Sequence, residues 1–316
     1  MDKVRLHDSP PPENSTKAAL RAGCRGFTLL ELSMVLVIIG LIVGGVLVGR
    51  DLISAAYVRS QITQTERFNT AVHAFQDRYG GYLPGDIPAA PAALAGLAPR
   101  GTSEGEGDGN GVIEGIPQPG QYAYGLSESG GETLMFWKDL SAANMIPGSF
   151  TLASSTTSIN TSFNMSAYFP AAAIGPSNYV FVYSNGGVNY FCVEALAYVT
   201  YYPWTGTWGN NGGPYGLTPA QAFAIDTKID DGLPNYGKVT VQFVQGSGLV
   251  WSPTDPNNEG YVQTATVGNK YAPLGPNYPS ASIPGTCMDN ANVEWANMQY
   301  SVSQNGSNCT LSFQFQ

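Results

Sequence analysis

The sequence has little charge and almost no histidine. Only 12% of its 316 residues are Asp, Glu, Lys or Arg, about half the share found in an ordinary soluble domain. With two His residues in all, a histidine-based active site or a multi-histidine zinc site is strongly disfavoured. The net charge of −9 argues against binding to a phosphate backbone, so no nucleic-acid partner is expected.

The sequence also lacks the motifs that mark common active sites. It contains no G-x-S-x-G, S-x-x-K, H-E-x-x-H or Walker loop, and we therefore expect a protein that is not an enzyme. Gly (38) and Pro (22) are abundant, as are Tyr (18) and Phe (13). This composition predicts many turns and short strands, and it is too aromatic for a disordered chain.

The apolar residues are concentrated in one block near the N-terminus. Residues Phe27 to Val48 carry a single charge, Glu31, and no proline. A helix of this length spans the roughly 30 Å hydrocarbon core of a bilayer. The 26 residues before it carry five basic and three acidic side chains. Since positive flanks tend to stay inside, this leader is expected in the cytoplasm and the rest of the chain across the membrane.

Two ordinary interpretations of this block fit poorly. A secretory signal has a shorter apolar run of roughly 7–15 residues, followed by a small-residue cleavage site. An uncleaved signal anchor fits the hydropathy but leaves Glu31 unexplained, because a carboxylate in lipid costs on the order of 2.5–3.5 kcal/mol at mid-membrane. It also leaves unexplained the sequence at the start of the block, Gly-Phe-Thr-Leu-Leu-Glu.

Residues Gly26 to Leu32, followed by about twenty apolar residues, resemble the class III signal of type IV prepilins and type II secretion pseudopilins. The resemblance implies that prepilin peptidase cleaves between Gly26 and Phe27, removing residues 1–26, and that Phe27 is then N-methylated. It also implies that Glu31 neutralises the terminal amine of a neighbouring subunit during assembly, since a paired charge in lipid is far less costly than an isolated one.

The same resemblance implies a location and a set of partners. The chain would be a single-pass protein of the bacterial inner membrane, with its head in the periplasm, before it enters a pilus or pseudopilus filament. Its partners would be other pilin or pseudopilin subunits, prepilin peptidase, the inner-membrane assembly platform and, before assembly, membrane lipid. The large aromatic-rich head favours a minor or tip-type subunit. The alternative is a membrane-anchored extracytoplasmic binding or adhesion protein that never polymerises.

An amphipathic helix is predicted directly after the apolar block. Apolar and small residues recur there at steps of three and four, and Gly80-Gly81 follows, a typical helix end. This divides the chain into a leader (1–26), a membrane and filament-core helix (27–49), an amphipathic continuation (50–80) and an enlarged head (81–316). The predicted helical stripe consists of Ala55, Val58, Ile62, Thr65, Phe68, Val72, Phe75 and Tyr79.

The head is predicted to be rich in β-structure. Residues 132–145 have a helical pattern, whereas apolar or alternating runs predict strands at 178–184, 188–199, 238–244 and 309–315. Two stretches rich in Ser, Thr, Gly and Asn, 146–176 and 201–220, are expected to be long loops. Together with the resemblance, this gives an α+β fold in which the long N-terminal helix packs on an antiparallel sheet with long loops.

Three cysteines remain once the leader, which contains Cys24, is removed. Many pilins close a loop near the C-terminus with a disulfide, and the resemblance therefore implies a bond between Cys287 and Cys309. Cys192 would then be a buried thiol in an apolar strand. Because the count is odd, pairing of Cys192 with either of the others stays open.

An acidic, glycine-rich loop at 106–114 is a candidate calcium site, and calcium is the one cofactor that we consider. Its oxygen-bearing residues alternate as in an EF-hand loop, and Gly111 stands at the turn. Pro117 occupies the position of the usual bidentate acid. The alternative is a solvated loop, as is also expected for Asp226, Asp230 and Asp231. The candidate ligands are Glu106, Asp108, Asn110, the Val112 carbonyl and Glu114.

Overall fold

The protein is represented by a computed structural model. It describes residues 28–116, 130–157, 164–175, 178–196, 198–202, 206–210, 216–245, 248–251, 287–289, 299–303 and 309–315. The chain divides into two compact units, Met1–Asp51 and Leu52–Gln316. The predicted α+β architecture is confirmed.

The first element is a single helix, α1, which runs from Leu29 to Arg78 over 50 residues. No proline interrupts it, so the backbone hydrogen bonds continue from the apolar half into the amphipathic half. The helix ends where Gly80 and Gly81 adopt φ values of 75° and 92°. The N–H of Gly81 donates to the carbonyl of Gln76 at 2.8 Å, which satisfies one of the free carbonyls of the last turn.

The amphipathic half of α1 buries one face against the head. Most of the predicted stripe lies in this face, but Ala55 is exposed. Gln61 is buried although its side chain is polar, because its Oε1 accepts a hydrogen bond from the N–H of Ala173 at 2.9 Å. A buried amide is tolerated when it is hydrogen-bonded. The buried residues are Val58, Gln61, Phe68, Ala71, Val72 and Phe75.

A four-stranded antiparallel sheet forms the core of the head. Strands β1 (Asn178–Asn185) and β2 (Val188–Ala195) form a hairpin. Near the C-terminus, β10 (Leu311–Gln314) pairs with β2 on one side and with β5 (Val239–Thr240) on the other. The strand order is β1-β2-β10-β5, so the end of the chain is inserted into the middle of the sheet.

Shorter elements surround this sheet. The helices are α2 (Ala89–Leu94), α3 (Glu132–Ala142), a 3₁₀ turn (Met165–Ala167) and α4 (Pro219–Ile229). The two-stranded pairs are β3 (Tyr198–Tyr202) with β4 (Gly206–Asn210), β6 (Gln242–Gln245) with β7 (Gly248–Trp251), and β8 (Met288–Asp289) with β9 (Gln299–Tyr300).

The predicted loop at 201–220 is wrong in part, because it contains β4 and the start of α4. The start of α4 has a local cause: Thr218 and Gln221 form a capping box, with Pro219 in the first turn. These three residues form a sequence pattern that could have predicted the start of α4. The predicted helix at 132–145 is confirmed in its first eleven residues as α3.

An aromatic cluster joins α1, α3 and the sheet. The ring of Phe68 in α1 lies 4.9 Å from that of Trp137 in α3 and 6.0 Å from that of Phe191 in β2, measured between centroids. Phe315, directly after β10, stacks on Phe191 at 4.1 Å. Such aromatic pairs stabilise beyond the area they bury, so this cluster fixes the amphipathic half of α1 on the sheet.

The structure joins Cys287 and Cys309 in a disulfide, the pair that the resemblance implied. The bond lies next to β8 and β10, and it closes a loop with a sequence separation of 22. Cys192 is a buried thiol in β2, and its sulfur donates to the carbonyl of Gln242 at 3.8 Å. The disulfide therefore ties two C-terminal strands together beside the sheet.

Candidate functional site

The first turn of α1 is organised by Thr28 and Glu31. Glu31 Oε2 accepts hydrogen bonds from the backbone N–H of Thr28 at 2.8 Å and from its hydroxyl at 2.9 Å. In return, the N–H of Glu31 donates to Thr28 Oγ1 at 3.2 Å. This reciprocal arrangement is a capping box, which satisfies two backbone donors at a helix start. It fixes the carboxylate at the N-terminal end of the apolar helix.

Only one oxygen of the Glu31 carboxylate is used in this box. Among the described residues, Oε1 accepts no hydrogen bond. A carboxylate can accept several donors, so Oε1 can bind a second cationic or N–H donor without opening the first turn. The other two predicted processing residues, Gly26 and Phe27, lie outside the described residues.

Thr28 is a site residue that the sequence reasoning missed. The signal was present, since Thr-x-x-Glu ahead of an apolar run is a capping-box pattern. The structure assigns Thr28 the role of holding the Glu31 carboxylate in place.

The helix that follows has the length and composition of a membrane span. Its most apolar 18-residue window has a mean hydropathy of 2.7, and none of that window is buried. The large apolar side chains between Leu29 and Val48 are each about half or more exposed. In water this surface would be unfavourable. The geometry is therefore that of a lipid-facing or helix-facing segment with one carboxylate in its first turn.

These features define a class, a membrane-anchored single-pass protein whose apolar helix begins with a fixed carboxylate. Residues 21–47 match the family model described as the prokaryotic N-terminal methylation motif, the prepilin-type signal of type IV pilins and pseudopilins. The N-terminal segment of the chain therefore carries a prepilin-type signal. No curated protein and no solved structure matches the chain.

The acidic loop is organised by two carboxylates from outside it. Asp86 accepts hydrogen bonds from the N–H groups of Gly109 (2.7 Å) and Asn110 (3.2 Å) through Oδ1, and of Gly111 (2.8 Å) through Oδ2. Glycines at such positions allow positive φ and close approach of the backbone; φ is 81° at Gly109 and 85° at Gly111. Asp86 thus holds one half of the loop.

Glu132, the first residue of α3, holds the other half. Its Oε1 accepts from the N–H of Gly107 at 3.0 Å, and its Oε2 from the N–H of Glu114 at 2.9 Å. Burial raises the pKa of Glu132 to about 9, assisted by the neighbouring charge of Asp86, while the N–H donors act against the shift. Burial likewise raises the pKa of Asp86 to about 7. Both carboxyl groups therefore bind protons more tightly in the folded chain.

The structure brings three of the predicted calcium ligands together, Asp108, Asn110 and Glu114. Glu106 Oε2 turns to the N–H groups of Thr102 and Ser103 at 3.0 and 2.9 Å. Asn110 directs its Nδ2 towards Asp108 and Glu114, while its Oδ1 accepts from the N–H of Val112 at 2.7 Å. Calcium binding through the five predicted ligands stays a prediction.

A different group of carboxylates could hold a divalent cation. Oxygen atoms of Asp86, Asp108 and Glu132 all lie within 4.8 Å of one another, and Asp108 is exposed. Since hard cations prefer carboxylate oxygens, an ion here would replace protons on the two buried groups. Asp86 and Glu132 lie 46 residues apart, and no sequence pattern brings them together.

The expectation of a solvated turn at Asp226, Asp230 and Asp231 is wrong for Asp226, which is buried. Its Oδ2 accepts a hydrogen bond from the hydroxyl of Tyr300 at 2.8 Å. Burial raises the pKa of Asp226 to about 7. Asp226 lies in α4 and Tyr300 in β9, so this burial depends on a tertiary contact. The local sequence around Asp226 does not indicate it.

We predict that calcium stabilises the protein more at pH 8 than at pH 6. Because the folded pKa values of Asp86 and Glu132 are raised, the stability they contribute is complete below the unfolded pKa, near 4. It is lost as the pH rises through about 7 and then about 9. Calcium competes with these protons. Saturating calcium should raise the melting temperature by about 5 °C at pH 8 and by less at pH 6.

The measurement is thermal unfolding of the detergent-solubilised protein with calcium or EDTA. Asp108→Ala should remove most of the calcium effect. Asp77→Ala, which changes an exposed acid of α1 outside both groups of carboxylates, should leave it unchanged. Equal melting temperatures with and without calcium at pH 8 would end the hypothesis.

Proposed function

We propose that the protein is a structural, non-catalytic subunit of a type IV pilus or type II secretion pseudopilus. After cleavage between Gly26 and Phe27, its N-terminal helix would polymerise with those of other subunits. The observation that carries this proposal is the capping box, in which Glu31 is fixed at the start of an exposed apolar helix.

The charge arrangement supports a role in assembly. Cleavage would leave the Phe27 amine one residue before Thr28, so an amine and a carboxylate would lie at the same end of each helix. The Oε1 atom of Glu31 could accept the amine of a neighbouring copy while Oε2 keeps its bonds to Thr28. A paired charge in lipid is far less costly than an isolated one, so pairing would favour one axial register.

A minor or tip-type position is proposed on the size of the head. The second compact unit extends from Leu52 to Gln316, and a bulky head is harder to repeat at every position of a filament. Glu31 argues against the tip pseudopilin type that characteristically lacks this glutamate. The basic residues before the helix support insertion through the inner membrane with the leader in the cytoplasm.

The experiment compares two variants of the N-terminal segment in a Cys24→Ser background. Gly26→Leu should leave the leader attached, so that mass spectrometry finds no N-methyl-Phe27 peptide. Glu31→Gln should be processed and methylated normally. It should nevertheless lower cross-linking to neighbouring filament subunits, measured from a photoactivatable group attached at Leu36→Cys, by roughly tenfold or more, since an unpaired amine in lipid costs on the order of 2.5–3.5 kcal/mol.

Ser33→Ala is the matched control for Glu31→Gln, because Ser33 is a polar residue in the next part of the same turn whose hydroxyl bonds to the carbonyl of Leu30. It should cross-link like the parent. Unchanged mobility of the Gly26→Leu variant would refute processing. A methylated protein that never cross-links would instead favour the anchored binding protein.

A further inference from the structure

A long apolar groove lies beside the amphipathic half of α1. It encloses about 850 Å³ between residues 63–74 of the helix and two other segments of the chain, 145–150 and 166–171. The helical wall is about 17 Å long at 1.5 Å per residue. A groove of this volume with a largely apolar lining is typical of a site for a small apolar ligand. Its apolar lining includes Phe68, Ala71, Met145, Ile146, Phe150 and Phe169.

A smaller depression of about 310 Å³ adjoins the groove and is basic. It shares Thr63, Gln64 and Arg67 with the groove, and no acidic residue lines it. Within the part of the chain that the structure describes, the only ion pair joins Arg100 and Asp139. The guanidinium groups in the depression therefore have no ionic partner there. The remaining residues of its lining are Arg59, Ser60 and Ala173.

The free polar groups of this depression are mainly hydrogen-bond donors. Gln64 is already used at both ends, because its Oε1 accepts the N–H of Ala173 and its Nε2 donates to the carbonyl of Ala171, each at 2.8 Å. The hydroxyls of Ser60 and Thr63 make no hydrogen bond to another described residue. Arginine side chains can only donate. The depression therefore fits an anionic group that accepts hydrogen bonds.

The positive charge is local to this end of the groove. Without the leader the chain has 9 Lys and Arg against 20 Asp and Glu, a net charge of −11, so the protein as a whole repels anions. The one acid in the groove lining, Glu66, does not line the depression, and it also lines a separate cavity together with Lys228 and Lys238. An anion is therefore favoured in the depression and not along the groove.

We propose that the Leu52–Gln316 unit binds a long-chain fatty acid, with the alkyl chain in the groove and the carboxylate at Arg59 and Arg67. Binding would remove apolar surface of both partners from water, and guanidinium groups bind carboxylates through paired hydrogen bonds. Since α1 has the length and composition of a membrane span, a bilayer would supply such amphiphiles. The site does not depend on polymerisation, so a filament subunit and an anchored binding protein would both have it.

The experiment uses the full-length protein in phosphatidylcholine vesicles that contain a trace of palmitate with a photoactivatable group in its chain. After illumination, mass spectrometry locates the cross-linked peptides. Cross-links to Leu29–Val48 report fatty acid dissolved in the bilayer and serve as the internal reference. A second set is expected in 145–150 and 166–171. Excess unlabelled palmitate should reduce this second set roughly tenfold, whereas hexadecanol, which has the same chain and no charge, should reduce it far less.

Two variants test the two ends of the site separately. Arg59→Gln/Arg67→Gln should lower the labelling of the groove roughly tenfold relative to the reference, while Arg78→Gln, which changes an exposed cation outside both cavities, should not. Ala74→Trp should also lower the labelling, because it fills part of the groove. Ala56→Trp is its control, since Ala56 is an exposed alanine of the same helix outside the groove lining.

Three results would overturn the proposal. The first is equal competition by palmitate and hexadecanol, which would show that the charge is not recognised. The second is full labelling of the groove in the double arginine variant. The third is labelling of the groove that falls as more protein is placed in each vesicle at a constant ratio of fatty acid to protein, which would assign the groove to another copy of the chain.

Discussion

Asp139→Asn is expected to lower the free energy of unfolding by about 3–5 kcal/mol, because it removes one partner of a buried ion pair. Asp139 in α3 and Arg100 form this pair, and both side chains are almost fully buried. Asp139 Oδ2 also accepts the N–H of Gly85 at 2.7 Å. Asparagine keeps the shape but leaves the guanidinium with no counter-charge, and an arginine cannot release its proton to escape this cost.

Replacing Arg100 instead of Asp139 should lower the free energy of unfolding by less, and the size of this loss should depend on pH. In Arg100→Met the unpaired group is Asp139, which can take up a proton. Burial already raises the pKa of Asp139, against the effect of Arg100, so its protonated form is accessible. A raised folded pKa gives stability that is present at low pH and lost as the pH rises. The cost of Arg100→Met should therefore be smaller at pH 5.5 than at pH 8.

Urea unfolding of the detergent-solubilised protein, followed by tryptophan fluorescence, measures both variants. The double variant Arg100→Met/Asp139→Leu should recover most of the loss, since replacing a buried pair by apolar residues of similar volume is often neutral or stabilising. Lys138→Met provides the comparison for losing a neighbouring, half-buried cation. Equal costs for Asp139→Asn and Arg100→Met at both pH values would contradict this account of the pair.

The elements that the sequence predicted are those defined by residues close together in the chain. The apolar block and the three-four periodicity from Val58 to Phe75 require nothing outside α1. The runs 178–184 and 188–199 are two apolar segments joined by Gly186-Gly187, which is a hairpin signal. The Thr28–Glu31 capping box is equally local, and its pattern was visible without the structure.

The features that sequence reasoning did not reach depend on contacts between distant residues. Insertion of β10 between β2 and β5 joins segments about 70 and 120 residues apart, as in Ser312 opposite Thr240 and Cys192. The Asp86–Glu132 arrangement and the Arg100–Asp139 pair likewise bring together residues that are far apart in the chain. Helices α2 and α4 are short and lie among glycines and prolines, where local propensity is a weak guide.

Phe68→Ala is expected to cost about 3–5 kcal/mol of stability and to loosen α1 from the sheet. Phe68 is 4% exposed, and its ring contacts Trp137 of α3 and Phe191 of β2. Truncation to alanine removes both contacts and leaves a cavity, because α3 and the sheet hold each other apart through Phe136 and Phe191, whose centroids are 6.0 Å apart. Phe68→Leu should cost less, since it keeps most of the apolar volume.

The loosening of α1 from the sheet in Phe68→Ala should be measurable separately from the loss of stability. Exposed Arg67 and Arg78 are resistant to trypsin only while their helix is packed, so brief digestion of the Phe68→Ala variant should cut at these sites first. His73→Ala changes an exposed residue of the same helix and should stay within about 0.5 kcal/mol of the parent. A Phe68→Ala variant with parental urea stability and no early cleavage would show that the aromatic cluster does not hold α1 on the head.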